Sequence, residues 1–227
     1  MEGLKRIGVL LAAGRSTRMG RPKQLLPWPP HKGVGGLSEA DGGLGLRAAE
    51  SASETPPTHE SKPLVAAAFD AIAYVCDEMV VVVGNEADAV IAALGEREFG
   101  AVAVDPFAEM IASVKAGLAV ARGIDPAADV LLHPADHPEV RPETIDLLIQ
   151  TASDYPGRAV MPTSGGAGGH PVLIAAGLII PIVSYEGSGG LRQFWIDHAD
   201  QCMRVAVDDS GIVLDLDTQS DYDRSVQ

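Results

Sequence analysis

The chain has 227 residues, of which 46% are hydrophobic and 21% charged, values that exclude wholesale disorder and allow a buried core. Aromatic residues are only 4%, so the apolar content is aliphatic and suits helices layered on buried parallel strands. A balance of 17 basic against 31 acidic residues gives a formal charge of −14, which argues against nucleic acid or anionic membrane as a partner.

The two cysteines, Cys76 and Cys202, cannot make a disulfide framework, and no Cys/His spacing suggests zinc. Lys5, Arg6 and the apolar run 7–13 resemble a short leader, but Arg15, Arg18, Arg21 and Lys23 follow at once. No apolar stretch reaches the ~18 residues of a membrane span. A cytoplasmic protein is expected.

Residues 6–11 (RIGVLL) read as a buried parallel strand, followed by a Gly-punctuated basic loop over 12–23. Residues 29–61 hold six Gly, four Ser and four Pro without periodicity. They read as a flexible insertion in a single domain spanning 1–227. Helices are predicted over 62–75, 86–94, 110–122, 142–152 and 189–199. Strands are predicted over 79–83, 101–104, 130–132, 159–161, 203–207 and 212–214, and residues 172–174 are apolar. The stretch 165–169 (GGAGG) reads as a mobile loop. The alternation predicts a three-layer, Rossmann-like α/β fold with a mainly parallel sheet. Ligands of such sheets sit at the carboxyl ends of strands, where the loops 12–23, 134–138 and 162–171 converge.

In the first loop, Leu11, Ala12, Ala13 and Gly14 let a ligand approach the backbone. N–H groups from Ala13 to Ser16 could cradle phosphate oxygens, with charge from Arg15, Arg18 and Lys23. Six of the 17 basic residues fall within the first 28 positions; the alternative is a solvated basic turn. The loop is neither GxxxxGK[ST] nor GxGxxG, which weakens a plain NAD-binding domain. In Pro134-Ala135-Asp136-His137-Pro138, Asp136 could hold a divalent cation or cap the following helix. His170, after the glycine loop, could donate to a phosphate or bind an acceptor. His31, His59, His133, His137 and His198 carry no comparable signal.

The stretch LAAGRSTRMGRPKQLLP resembles the N-terminal signature of MobA-like nucleotidyltransferases, most of all the MocA branch, the molybdenum cofactor cytidylyltransferases. Residues 110–118 (MIASVKAGL), the PADHP loop, GHPV at 169–172 and the ending DLDT…DY at 215–222 are similar to family segments in the same order. Glu109 stands where the family usually has Gly, Ala135 replaces the Gly of GDxP, and Gln219-Ser220 replaces Pro-Glu.

The resemblance implies transfer of a nucleotide from an NTP, best CTP, to a phosphate acceptor, best molybdopterin, with Mg2+ and release of pyrophosphate. Arg18, Lys23 and Asp136 would be catalytic. Leu11 to Ser16, Arg18, Lys23 and Ser113 would bind the nucleotide, and His170 the acceptor. Asp136 and Asp217 would hold the metal, with Asp215 the next choice. A molybdoenzyme would be a possible recipient of the product. A transferase for a sugar phosphate, or a non-catalytic cofactor chaperone of a molybdoenzyme, are the alternatives.

Overall fold

The computed structural model describes residues 4–16, 19–28, 61–214, 216 and 218–224. The expected insertion at 29–61 therefore lies, apart from Ser61, outside the described residues. Its flanks meet: β2 (Pro27–Trp28) pairs antiparallel with β3 (Lys62–Pro63), setting Trp28 opposite Lys62.

The other strands are β1 (Arg6–Ala12), β4 (Glu78–Val83), β5 (Gly100–Ala103), β6 (Asp129–Pro134), β7 (Ala159–Ser164), β8 (Ala167–Gly168), β9 (Val172–Ile174) and β10 (Cys202–Ala206). They form an eight-stranded sheet in the order β10-β7-β9-β6-β1-β4-β5, with β8 on β7. Pairing is parallel between β5, β4, β1 and β6 and between β7 and β10; β9 runs antiparallel to both its neighbours. The α/β fold with a mostly parallel sheet is as expected from the alternation.

Helices α1 (Leu64–Ala73), α2 (Ala87–Leu94), α3 (Met110–Ile124), α4 (Pro142–Asp154), α5 (Ala176–Val183), α6 (Gly190–Asp197) and α7 (Gln219–Arg224) complete the described elements, with three short 3-10 turns. Alternate residues of each central strand serve opposite layers. Val9, Val80 and Val82 pack with Val114 and Leu118 of α3, Ile179 of α5 and Phe194 of α6. Leu10, Val81 and Val83 pack with Phe69 of α1, Leu94 of α2 and Leu148 of α4. Both faces are covered, which is why β1 from Ile7 and β4 from Met79 carry no polar side chain. Each fully buried Val or Leu contributes about 1.5–3 kcal/mol.

Two local expectations change, and one helix lies where no element was predicted. Residues 212–214 are not a strand: a 3-10 turn spans Ser210–Val213, pinned by Asp209, which accepts from Gly211 N at 2.9 Å. Within the predicted loop 165–169, Ala167–Gly168 pair with β7. The apolar stretch after Val172 contains α5, with Pro181 inside it.

Asp209 is buried and also accepts from Arg141 N at 3.0 Å and Thr144 Oγ1 at 2.7 Å. It thereby ties down the first turn of α4, the alternative role weighed for Asp136. Among the described residues, no helix is long and apolar enough to cross a membrane.

Candidate functional site

Parallel pairing sets Leu11 beside Pro134, so β1 and β6 deliver their loops to one place. The loop after β1 is shaped from within. Gln24 is buried; its Nε2 donates to Gly14 O at 2.7 Å and its Oε1 accepts from Ser16 Oγ at 3.1 Å. Ser16 Oγ in turn accepts from Lys23 N at 2.9 Å. Ser16 has φ 51°, a left-handed conformation rare for a residue with a Cβ. Among the described residues, the N–H groups of Gly14 and Arg15 donate to nothing. On the far side Gly84 is in close contact; a Cβ there would stand 2.7 Å from Ala13 O. The Arg15 guanidinium lies 4.3 Å over the Phe107 ring.

The second loop faces the first. Lys23 Nζ donates to Asp136 Oδ2 at 2.7 Å, with the side chains only 10% and 19% exposed. His137 Nδ1 donates to Asp136 Oδ1 at 2.9 Å, and His133 Nε2 donates to the His137 carbonyl at 2.8 Å. Burial opposes ionisation of Asp136. The His137 hydrogen bond and the Lys23 charge outweigh it and hold the carboxyl far below its usual value. His133 is pushed down to about 3, first by burial and then by the nearby histidines. His170 is pushed down to about 4 by burial and His137, partly offset by Asp136 and by a backbone hydrogen bond at Leu132. The His170 ring centroid is 5.4 Å from that of His137. The Nδ1 atoms of His133 and His170 are buried and have no hydrogen-bond partner among the described residues.

Leu11, Ala13, Gly14, Arg15, Ser16, Lys23, Ser113 and Asp136 line one cavity of about 400 Å³. Ala12 does not line it; its side chain is buried in the core beneath. Ser113 arrives on the first turn of α3, which sits close to the sheet because a Cβ at Gly117 would collide with Val9 and Val82. A larger cavity of about 920 Å³ adjoins the first, sharing Leu11, Met110 and Pro134. His170 belongs to this second cavity, where it stands beside the backbone of Gly166 to Gly169.

Arg18, Asp215 and Asp217 lie outside the described residues. Their neighbourhood is partly visible. Leu216 is fully buried with Leu26, Trp28 and Leu64, and Tyr222 Oη donates to Pro27 O at 2.5 Å. Leu216 and Tyr222 are thus packed against the segment that follows the basic loop.

Three residues around the site carried no signal in the sequence. Gln24 is an ordinary polar residue until its contacts are seen. His133 and His137 flank Asp136 in the pattern HPADH, and that spacing at a strand end was the only available clue. The remaining described histidine, His198, bonds through Nδ1 to Phe194 O at the end of α6.

Residues 42–202 match the family described as MobA-like NTP transferase domain, well over half of the chain. Among curated proteins, none matches. Among solved structures, the chain is similar to Rv0371c from Mycobacterium tuberculosis, with a TM-score of 0.73 and 24% identity over 98% of each chain. That protein has also been solved in complex with manganese. A nucleotidyl transferase from Methanothermobacter thermautotrophicus is similar at TM-score 0.71 and 21% identity, over 98% of this chain and 96% of that one. Molybdopterin-guanine dinucleotide biosynthesis protein A from Archaeoglobus fulgidus is similar at TM-score 0.61 and 14% identity, over 96% of each. At these identities the three likenesses concern the fold.

Proposed function

The chain belongs to the MobA-like NTP transferase family, and we propose that it moves CMP from CTP onto the phosphate of a molybdopterin-type acceptor. The observation that carries this reading is the Lys23–Asp136 pair: a cation and an ionised carboxylate, both largely buried, in a cavity beneath open backbone N–H groups.

An oxygen of the acceptor's phosphate attacks the α-phosphorus of the NTP. One P–O bond forms, the bond to the β-phosphate bridge breaks, and pyrophosphate leaves with the electron pair. No protein nucleophile is needed, so catalysis is positioning and charge neutralisation. The N–H groups of Gly14 and Arg15 receive phosphate oxygens, and Arg15, Arg18 and Lys23 offset their charge. Ser113 contacts the nucleotide from α3. The larger cavity takes the acceptor, with His170 on its wall.

The residues fit Mg2+ arriving with its nucleotide. That ion is held through one or two carboxylates plus substrate phosphates. Asp136 supplies one carboxylate, and among the described residues no group of three or more His, Cys, Asp or Glu forms a metal site by itself. Asp136, with Asp217 as the second carboxylate, would hold the ion, which supplies charge neutralisation at the reacting phosphates when bound. Lys23 would then exchange its bond to Asp136 for one to phosphate.

Calorimetry with CTP, GTP, ATP and UTP, with and without Mg2+, tests the nucleotide. Binding of CTP alone, dependent on Mg2+, supports the cytidylyl reading. Preference for another base overturns CTP and leaves the transferase. Pyrophosphate release on adding molybdopterin then tests the acceptor. Its absence with every nucleotide favours a cofactor-binding protein without turnover.

A further inference from the structure

In a chain of charge −14, cations without partners are informative. Lys62 and Arg97 share Asp70, Lys23 meets Asp136, Arg141 reaches Asp209 and Arg224 meets Asp221. The side chains of Arg192 on α6 and Arg204 on β10, like that of Arg122 on α3, make no hydrogen bond or ion pair among the described residues. Arg192 and Arg204 both line the larger cavity and neither lines the smaller. Among the described residues the only carboxylate on that wall is Glu109, at the start of α3, so the described wall carries more positive than negative charge.

The rest of the wall is different in kind. Met161, Val172, Trp195 and Ile196 make it apolar. At about 920 Å³ it is more than twice the volume of its neighbour and at the upper end of small-molecule sites. A small sugar phosphate would leave most of it filled with water. The boundary with the smaller cavity is marked by Leu11, Met110 and Pro134, where an acceptor's phosphate must reach the nucleotide. The two arginines line the larger cavity outside that boundary.

We propose that Arg192 and Arg204 clamp a second anionic group of the acceptor, remote from the phosphate that reacts. The proposal rests on the larger cavity being the acceptor's site. It narrows the acceptor to a phosphate ester with an apolar or heteroaromatic body and an anionic far end. Arginine suits this role because its fixed fork of donors matches planar or tetrahedral anions. Both arginines are exposed enough for salt to screen the contact.

A matched pair of probes reads the clamp without knowing the acceptor. 8-Anilinonaphthalene-1-sulfonate has an aromatic body and one anionic group; N-phenyl-1-naphthylamine has the same body without it. Fluorescence titrations of the full chain are compared for the wild type, Arg192→Gln, Arg204→Gln and the double variant. The sulfonate should bind the wild type, lose about fivefold in affinity per arginine and weaken with added salt, while the neutral probe is unaffected. A double variant that keeps the sulfonate within twofold, or loses both probes alike, overturns the clamp. CTP binding to the wild type is measured alongside. Sulfonate binding through the arginines without any nucleotide binding supports the anion site and fails the transferase reading. Nucleotide binding with no preference for the sulfonate does the reverse.

Discussion

Lys23 Nζ and Asp136 Oδ2 stand 2.7 Å apart although 113 positions separate them in the chain. The contact exists because β1 and β6 are parallel neighbours whose carboxyl ends coincide at Leu11 and Pro134. It fixes the approach of two loops and, in the proposed reaction, is the charge pair that incoming phosphates open.

Removing one member of a largely buried pair leaves the other charge uncompensated. Lys23→Met is therefore expected to lower stability by about 3 kcal/mol and to cut turnover by about a hundredfold or more. Urea unfolding and pyrophosphate release measure the two effects. A folded Lys23→Met protein with full turnover would remove this pair from the proposed mechanism.

Acid should destabilise the protein through the buried histidines. In the folded state His133 and His170 sit at about 3 and about 4, below their ordinary 6.5. The unfolded chain therefore takes up protons that the native state refuses. Their contribution is fully present above pH 6.5 and lost as pH falls towards the folded values, at about 1.4 kcal/mol per pH unit for each group. Asp136, depressed in the folded state, adds a loss only as pH falls below its unfolded value near 3.8. Unfolding free energies at pH 7.5, 6 and 5 should fall less steeply for His170→Asn than for the wild type. Parallel slopes would mean that His170 is protonated alike in both states.

Asp209 holds three donors in a buried position: Arg141 N, Thr144 Oγ1 and Gly211 N. Asp209→Ala leaves them unpaired and should cost about 2–3 kcal/mol, more than an exposed cap. Nucleotide affinity is the control, since Asp209 lines neither cavity. An unfolding midpoint equal to the wild type would show that water replaces the carboxylate without penalty.

How far the sequence speaks can be argued element by element. β1 and β4 were legible because strands buried on both faces are apolar without interruption. Residues 172–174 were legible only as apolar; that they form a strand, antiparallel to both neighbours, is decided by pairing with β6 and β7. α5 was hidden by Pro181 and by its apolar density. Its helical spacing shows only in burial, with Leu178, Ile179 and Ile182 inside and Ile180 out. Residues 212–214 misled because three apolar residues look alike in a strand and a tight turn. At the site, Lys23 and Asp136 were legible as charges after predicted strands. Their mutual contact, the histidines behind Asp136 and the Gln24 brace depend on distances no spacing records.

Gly84 couples the sheet to the first loop. A Cβ there would meet backbone, Ala13 O at 2.7 Å and Ala13 Cα at 3.2 Å, so no side chain can rotate away to accept it. Gly84→Ala should displace Ala13 and weaken Mg2+–CTP binding by about tenfold. Calorimetry on the folded variant reads this directly, and unchanged affinity would show that the loop tolerates the shift.

Gln24 offers the sharpest separation of loop shape from loop charge. It carries no charge and is buried. It bonds Gly14 O, reaches Ala12 O at 3.4 Å, and accepts from the hydroxyl that receives Lys23 N. Gln24→Leu keeps the volume and removes the brace, leaving Gly14 O and the Ser16 hydroxyl each short of a partner. Stability should fall by about 1–2 kcal/mol. Mg2+–CTP affinity should fall more than tenfold if the loop N–H groups must be held in place to receive phosphate. Gln24→Glu is the companion variant. It retains an acceptor for Ser16 but cannot donate to Gly14 O, so it should rescue neither binding nor stability. Recovery of affinity in Gln24→Glu would assign the brace to Ser16 alone and leave the Gly14 contact incidental.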